Sequence, residues 1–172
     1  MLDHLPERDV HALFAAAEAA GRVGVAQKTK PVDARPAHPG EVIVTHIAGE
    51  GQETQSKPAA EGDWVVRNRC PITGNEEYLV KAKTFAERYE GPLSASDAQR
   101  WREFHPRGPK LRFFVVTKAE RAFRFAAPWG EQMRARPGDV IVRNPGKPDD
   151  TYRVAATAFA CTYEVVVPPG QG

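Results

Sequence analysis

Two stretches of the sequence share one pattern: residues 62–90 read GDWVVRNRCPITGNEEYLVKAKTFAERYE, and residues 138–164 read GDVIVRNPGKPDDTYRVAATAFACTYE. Identical residues recur with an offset of 76 positions before an internal loop and of 74 positions after it. The matched pairs are Gly62 and Gly138, Asp63 and Asp139, Val66 and Val142, Arg67 and Arg143, Asn68 and Asn144, Tyr78 and Tyr152, Val80 and Val154, Phe85 and Phe159, Tyr89 and Tyr163, and Glu90 and Glu164. Matching spacing on both sides of a single length change predicts a tandem duplication.

Each copy has the signals of a small antiparallel β module. The Gly-Asp dipeptide marks a turn, and residues 64–66 and 140–142 then predict a short buried strand. A loop rich in proline and glycine follows, and residues 78–80 and 152–154 predict the returning strand of a hairpin. The later aromatic residues of each copy lie four positions apart, which suits one helical turn. Short strands separated by turns predict modules that are barrel-like or half-barrel in form.

Two helices are predicted outside the repeated pattern. Residues 6–20 carry one apolar stripe and end before Gly21, which predicts an N-terminal amphipathic helix. Between the copies, Ser96 and Gln99 form a capping-box pattern that predicts a connecting helix over residues 94–104. The predicted fold class is therefore α+β and β-rich, with two pseudo-repeated modules. The predicted organisation is a helix (1–24), a first module (25–92), a connecting helix with a Pro-rich linker (93–110) and a second module (111–172).

The second copy resembles a known small module of phages and bacteria. Its run Pro137-Gly138-Asp139, followed by Tyr152, Phe159 and Thr162-Tyr163-Glu164, resembles the PGDYG-like module. The first copy departs from that pattern, with Glu61 in place of the proline and Arg88 in place of the threonine. The resemblance covers about a third of the chain. It implies a tandem duplication of that module, and it implies no particular activity.

Composition excludes several classes of protein. The 172 residues are 41% hydrophobic and 27% charged, which is typical of a folded globular chain. No apolar run approaches the roughly 18 residues of a membrane span, and the N-terminus lacks the pattern of a secretory signal. The two cysteines show no metal-ligand spacing. We therefore expect a cytoplasmic protein with no membrane association, no metal and no cofactor.

The repeated polar residues are the first candidates for a site. Asp63 and Asp139 are either a pair of acids between the repeats or residues that cap their own turns. Each strand of the repeat also ends in an Arg-Asn pair whose side chains either bind a phosphate or carboxylate, or are solvated or hold the following loop. These two pairs are Arg67 with Asn68 and Arg143 with Asn144.

A basic segment, residues 100–136, is the second candidate. It contains ten basic residues and three acidic ones, with interleaved aromatic residues that include Trp129. Its candidate binding residues are Arg112, Arg121, Arg124, Arg134 and Arg136. Such a face either contacts nucleic acid or an acidic protein, or is an ordinary solvated surface. Residues 1–92 carry 11 basic and 14 acidic side chains, whereas residues 93–172 carry 13 and 8.

The sequence favours binding over catalysis, because it contains no catalytic signature. The leading prediction is a binding protein of two fused modules that contacts nucleic acid or an acidic partner through residues 100–136. One alternative is a small-ligand-binding protein or enzyme with a site between the repeats. Another is a phage-derived structural or assembly protein. A duplication of this kind predicts a monomer with internal pseudo-two-fold symmetry.

Overall fold

The computed structural model describes residues 4–49 and 51–170. The chain divides into two compact units: unit 1 comprises residues 1–27 and 109–172, and unit 2 comprises residues 28–108. Both consist mainly of antiparallel strands with a few short helices, so the predicted α+β, β-rich fold class is confirmed. None of the described helices is long and apolar enough to cross a membrane.

The elements follow one another along the chain, and the longest connection between successive elements is residues 91–101. In order they are α1 (Val10–Ala19), β1 (Gly24–Lys28), β2 (Val32–Pro36), β3 (Val44–Ile47), β4 (Gly51–Gln55), β5 (Trp64–Asn68), a 3-10 turn (Pro71–Thr73), β6 (Glu77–Val80), α2 (Ala82–Arg88), β7 (Tyr89–Glu90), β8 (Arg102–Pro106), β9 (Leu111–Val115), β10 (Phe123–Ala126), β11 (Gln132–Ala135), β12 (Val140–Asn144), β13 (Lys147–Val154), α3 (Ala156–Thr162) and β14 (Tyr163–Val167).

Unit 1 is built on a five-stranded sheet in the order β13-β12-β9-β1-β14. Successive residues of a strand point to opposite faces, so the sheet has two apolar layers. On one face Phe114 and Ile141 are fully buried with Phe14 of α1 and with Phe125 of the β10–β11 hairpin. On the other face Phe159 of α3 completes the second cluster.

The N-terminal helix is confirmed, but it begins at Val10 rather than at Pro6. The carboxylate of Asp9 accepts hydrogen bonds from the backbone N–H groups of His11 and Ala12, which makes Asp9 the N-cap. The residues just before Asp9 are not helical, because the backbone of Pro6 and Arg8 forms hydrogen bonds with the backbone of Arg124 in β10.

Unit 2 is built on a second five-stranded sheet, in the order β6-β5-β2-β8-β7. One face buries Val66 and Phe104 together with Phe85 of α2. The other face buries Val65 beneath Trp101, which comes from the loop before β8. A separate hairpin, β3–β4, follows the central strand β2 in the chain, just as β10–β11 follows β9.

The strand orders of the two sheets correspond place for place. The central strand, β9 or β2, pairs on one side with β12 or β5, which pairs in turn with β13 or β6. On its other side it pairs with β1 or β8, which is followed by β14 or β7. The register agrees as well, because Val142 lies opposite Tyr152 and Val66 lies opposite Tyr78.

The predicted domain boundaries do not coincide with these units. Strand β1 lies in the sheet of unit 1, although most of the first predicted module (25–92) belongs to unit 2. Strand β8, which falls in the predicted linker (93–110), lies in the sheet of unit 2. The chain therefore enters unit 1, crosses to unit 2 after β1, and returns after β8.

The connecting helix predicted over residues 94–104 is wrong, because this segment is a loop that leads into β8. The carboxylate of Asp97 accepts hydrogen bonds from the backbone N–H groups of Gln99 and Trp101. Arg100 adopts a φ of +72°, in the left-handed region. A local turn made by an aspartate competes with the helix, and a left-handed residue cannot continue it.

The modules, predicted to be barrel-like or half-barrel, are not closed into barrels in the part of the chain that the structure describes. Both five-stranded sheets are open, with β13 and β14 at the edges of one and β6 and β7 at the edges of the other. The two edge strands of each sheet are joined by a short helix, α3 or α2. That helix packs against the sheet through Phe159 or Phe85, so the edges do not pair.

Candidate anion-binding site

Two arginines predicted as binding residues lie side by side in unit 1. Arg112 of β9 is directly opposite Arg143 of β12. Both guanidinium groups lie over the ring of Phe14, which is completely buried in α1. The guanidinium carbon is 4.1 Å from the ring centroid for Arg143 and 5.7 Å for Arg112. Like charges directly opposite each other on a sheet are destabilising, so this pair concentrates positive charge at a cost.

The helix α1 supplies the other groups around this pair, which we call the arginine pair. His11, Phe14 and Glu18 recur at spacings of three and four residues, so they lie along one stripe of the helix. Arg143 donates from Nη2 to His11 Nδ1 at 2.8 Å, and Glu18 forms an ion pair with Arg112. The carboxylate therefore offsets one of the two charges.

Arg143 has no carboxylate within ion-pair distance among residues 4–49 and 51–170. Its Nε donates to Thr151 Oγ1 at 2.9 Å. Burial lowers the pKa of Arg143, and the positive charge of Arg112 lowers that pKa further, while Asp149 acts in the opposite direction. An added anion at this place would relieve the repulsion that lowers the pKa.

A cleft of about 390 Å³ opens beside the arginine pair. Glu18 and Arg112 form its polar wall, and Val25 and Val167 contribute apolar surface. Ligand sites are commonly concave and largely apolar, with a few polar groups that orient the ligand. The arrangement can therefore hold an anionic group next to an apolar one.

The corresponding place in unit 2 has a different charge. Arg67 lies over the ring of Trp101 at 4.0 Å, much as Arg143 lies over Phe14. The residue opposite Arg67 is Asp33 rather than an arginine. Asp33 forms ion pairs with Arg67 at 3.5 Å and with Arg69 at 2.8 Å. Arg69 also forms an ion pair with Glu103 at 3.3 Å, so two carboxylates balance the two arginines in unit 2.

A second cleft, of about 460 Å³, lies in unit 2 between Arg35, His38 and Arg100. Arg35 donates to both carboxylate oxygens of Glu41, at 3.0 and 2.6 Å. These hydrogen bonds lower the pKa of Glu41 to about 2, with a smaller contribution from the backbone N–H of His38. The charge of Arg35 is thus already matched by Glu41.

The basic segment is divided between the two units. Residues 100–108 belong to unit 2, and residues 109–136 belong to unit 1. Arg124 lies opposite Arg134 on the β10–β11 hairpin, and it forms an ion pair with Glu7 at 2.8 Å. Arg121 is exposed in a turn, with a φ of +59°. The backbone N–H of Arg136 donates to Asp139.

The charge asymmetry along the sequence is largely lost in the fold. Unit 1 contains 12 basic and 10 acidic side chains, and unit 2 contains 12 and 12. The acids that reduce the charge of unit 1 come from the N-terminal segment, where Glu7 and Glu18 pair with Arg124 and Arg112. The excess charge of residues 93–172 is therefore partly offset by acids from the N-terminal segment of unit 1.

The two repeated aspartates are buried and cap their own turns. Asp63 accepts hydrogen bonds from the backbone N–H of Ala60 at 2.9 Å and from Lys81 Nζ at 2.9 Å. Asp139 accepts from the backbone N–H of Arg136 at 2.8 Å and from Arg153 Nε at 2.9 Å. Carboxylates held in this way fix the turn before each strand.

The repeated asparagines have different surroundings. Asn144 accepts a hydrogen bond from the backbone N–H of Gly146 at 3.0 Å and so holds a loop. Asn68 is buried, donates to Glu76 Oε1 at 2.6 Å and accepts from the hydroxyl of Tyr78 at 3.3 Å. None of these hydrogen bonds joins an asparagine amide to Arg112 or Arg143.

A polar network around Lys28 in unit 2 was not predicted from the sequence. Lys28 Nζ donates to the hydroxyls of Tyr78 at 2.5 Å and Tyr89 at 3.1 Å. Burial alone would raise the pKa of Tyr89, but the charge of Lys28 and the hydrogen bonds from Tyr78 and Lys28 lower it below its ordinary value. The tyrosines are repeated residues, whereas Lys28 lies 50 positions before Tyr78 and carries no local signal. The network anchors the chain where it passes from β1 to β2.

No family model, curated protein or solved structure matches the chain. A function for the chain must therefore be inferred from the geometry of its own residues.

Proposed function

We propose that the protein is a binding protein built from two fused copies of one small module, related to the PGDYG-like module that its sequence resembles. Support comes from the repeated sequence together with the matching strand order and register of the two sheets. The aromatic pairs of the repeat also have matching geometry, because the rings stack at 5.2 Å between Phe85 and Tyr89 and at 5.0 Å between Phe159 and Tyr163.

The two copies exchange their first strands in this proposal. Strand β1 precedes the central strand of unit 2 in the chain but pairs with the central strand of unit 1, and β8 does the reverse. Pro31 and Pro109 interrupt the two connections. Proline has no N–H and restricts the residue before it, which disfavours a tight hairpin back onto the same copy. Exchange of an equivalent element is a common route to a dimer, and here the dimer is fused.

Binding is proposed to occur at the arginine pair of unit 1, with nucleic acid or an acidic protein as the partner. The observation that carries this proposal is the residue opposite the stacked arginine: Arg112 in unit 1, but Asp33 in unit 2. The stack itself occurs in both units and so fits a structural role. In unit 1 the opposite residue, Arg112, is paired with Glu18 and leaves Arg143 without a carboxylate in the described part of the chain, whereas in unit 2 the opposite residue, Asp33, pairs with the stacked arginine. Paired guanidinium groups suit the recognition of phosphate or carboxylate.

A ligand site or enzyme that uses Asp63 and Asp139 has less support. Both carboxylates are buried, and each is occupied by a turn N–H and a basic side chain. A general acid or base must reach a substrate proton, and these oxygens already hold the fold together.

Binding of anionic polymers to Arg112→Asp tests this proposal. The substitution gives unit 1 the residue that unit 2 has at the corresponding place, so we expect the fold to accept it. An oligonucleotide and polyglutamate, each at about 50 mM salt, would be titrated against both proteins, because phosphate contacts are strongest at low salt. Lys83→Asp on α2 is the matched control, since it makes the same change in net charge at an exposed position of unit 2.

We expect Arg112→Asp to weaken binding of the preferred polymer at least tenfold, and Lys83→Asp to change it less than twofold. Circular dichroism and the midpoint of thermal unfolding would verify that both variants are folded. Equal effects of the two substitutions, or no binding of either polymer by the unaltered protein, would overturn the proposal.

A further inference from the structure

An exposed tryptophan lies in the unit that carries the arginine pair. Trp129 is in the turn of the β10–β11 hairpin, and 46% of its surface is exposed. Its indole N–H donates to the carboxylate of Glu131 at 3.2 Å, which restrains the ring. A large aromatic side chain that is both exposed and held in place is a suitable surface for stacking.

The tryptophan and the arginine pair contact neighbouring residues of the edge strand β13. The ring of Trp129 lies 6.0 Å from the ring of Tyr152. The preceding residue, Thr151, accepts the hydrogen bond from Arg143 Nε. Successive residues of a strand point to opposite faces, so these two contacts alone do not bring the features together. The β10–β11 hairpin, however, shares one core cluster with Phe14, over which the arginines lie, so Trp129 and the arginine pair are both on the α1 side of the sheet.

These two features together select one kind of partner. Phosphate groups satisfy the arginines, and the flat face of a base stacks on an aromatic ring. An acidic protein offers carboxylates but few flat rings, and a duplex keeps its bases stacked inside the helix. Single strands present both phosphates and accessible base faces.

We propose that the partner is single-stranded nucleic acid, with a base stacked on Trp129 and phosphates at Arg112 and Arg143. This inference rests on the proposed function, because it names the partner of the same arginine pair. It adds a residue that charge considerations do not identify, and it predicts a preference for single over double strands.

The test compares three probes with the full-length protein: a labelled oligothymidine of about 12 nucleotides, a duplex of equal length, and polyglutamate. Binding is measured by fluorescence anisotropy, directly or by competition, for the unaltered protein, Trp129→Ala and Arg112→Asp. Leu93→Ala is the matched control, because Leu93 is an exposed apolar residue of unit 2.

We expect Trp129→Ala to weaken oligothymidine binding at least about fivefold, which is the lower end for loss of one base–aromatic stack. Polyglutamate binding should not change with Trp129→Ala, and Leu93→Ala should bind every probe as the unaltered protein does. The duplex should bind more weakly than the single strand.

Two failures are distinguishable. If Arg112→Asp weakens binding but Trp129→Ala does not, or if polyglutamate or the duplex binds more tightly than oligothymidine, the inference is wrong and the proposed function stands. If Arg112→Asp affects no probe, both are wrong.

Discussion

At the scale of single residues, the two units differ in the side chain that lies opposite the stacked arginine. Asp33 and Arg112 have the same place in their sheets, each opposite an arginine that stacks on an aromatic ring. Aspartate pairs with that arginine in unit 2, whereas Arg112 is itself paired with Glu18 and leaves the charge of Arg143 without a carboxylate among the described residues. One position thus changes the local charge by two units without a change in the backbone pairing.

The turn aspartates should differ in their contribution to stability. Asp139 contacts a completely buried Arg153, whereas the partner of Asp63, Lys81, is 59% exposed. Breaking a buried ion pair costs about 3–5 kcal/mol, and an exposed pair contributes about 0–1 kcal/mol. We expect Asp139→Ala to lower the free energy of unfolding by about 3–5 kcal/mol, and Asp63→Ala by about 1–2 kcal/mol through its turn hydrogen bonds. Urea unfolding measures both, and equal losses would contradict the structural assignment.

Acidification should weaken unit 2 through Glu41. Its pKa is lowered from 4.5 to about 2 in the folded state, chiefly by the hydrogen bonds from Arg35. A lowered pKa means that the stabilisation is fully present above pH 4.5 and is lost as the pH falls towards 2. The pair is partly solvated, so we expect a loss of about 1–2 kcal/mol. Urea unfolding would be compared at pH 7 and pH 2.5. The unaltered protein should show this additional loss of unfolding free energy at pH 2.5, and Glu41→Gln should not. A loss of the same size in Glu41→Gln would contradict this assignment.

The sequence anticipates part of the site. Arg143 follows from the repeat, and the capping of the turns by Asp63 and Asp139 was one of two alternatives. The contacts of Arg112 and Arg143 with α1 could not be predicted, because Glu18 lies 94 positions and His11 132 positions from its partner. Such contacts depend on the docking of a helix, which leaves no local pattern in the sequence.

At the scale of elements, β1 requires a glycine where it passes between its neighbours. A Cβ on Gly24 would lie 2.5 Å from the carbonyl oxygen of Val167 in β14. We expect Gly24→Ala to lower the free energy of unfolding by about 1–3 kcal/mol, the usual cost of overpacking. Gly146→Ala, where the nearest atom is 3.5 Å away, is the control and should change stability little. Equal losses of unfolding free energy for Gly24→Ala and Gly146→Ala, measured by urea unfolding, would show that β1 does not pack closely against β14 at Gly24.

Elements whose signals are local were predicted better than those that depend on distant pairing. The strands of the repeat and the helix α1 follow from turn residues and apolar spacing. The segment before β8 was misread as a helix because a capping pattern was present, while the turn made by Asp97 and the left-handed Arg100 were not foreseen. The sheets to which β1 and β8 belong could not be predicted, because a strand pattern does not name its partner.

At the scale of the whole molecule, the proposed exchange of the first strands predicts that the two fragments stay associated when the chain is cleaved between the proposed copies. A protease site would be inserted after Ala95, in an exposed loop. Cleavage there would place β1 and its partner β9 in different fragments, and likewise β2 and its partner β8. We expect the two fragments to elute together in size-exclusion chromatography under native conditions. A thiol reductant excludes disulfide linkage, and the uncut insertion variant is the control. Separation into two folded fragments would contradict strand exchange.

The central claim, that unit 1 binds anions through Arg112 and Arg143, is tested most directly by the salt dependence of oligothymidine binding. The logarithm of the binding constant falls with the logarithm of salt concentration by about 0.7 for each phosphate contact on a single strand. We expect a slope of about −1.4 or steeper for the unaltered protein, and a slope shallower by at least about 0.7 for Arg112→Asp. An unchanged slope in that variant would contradict the claim.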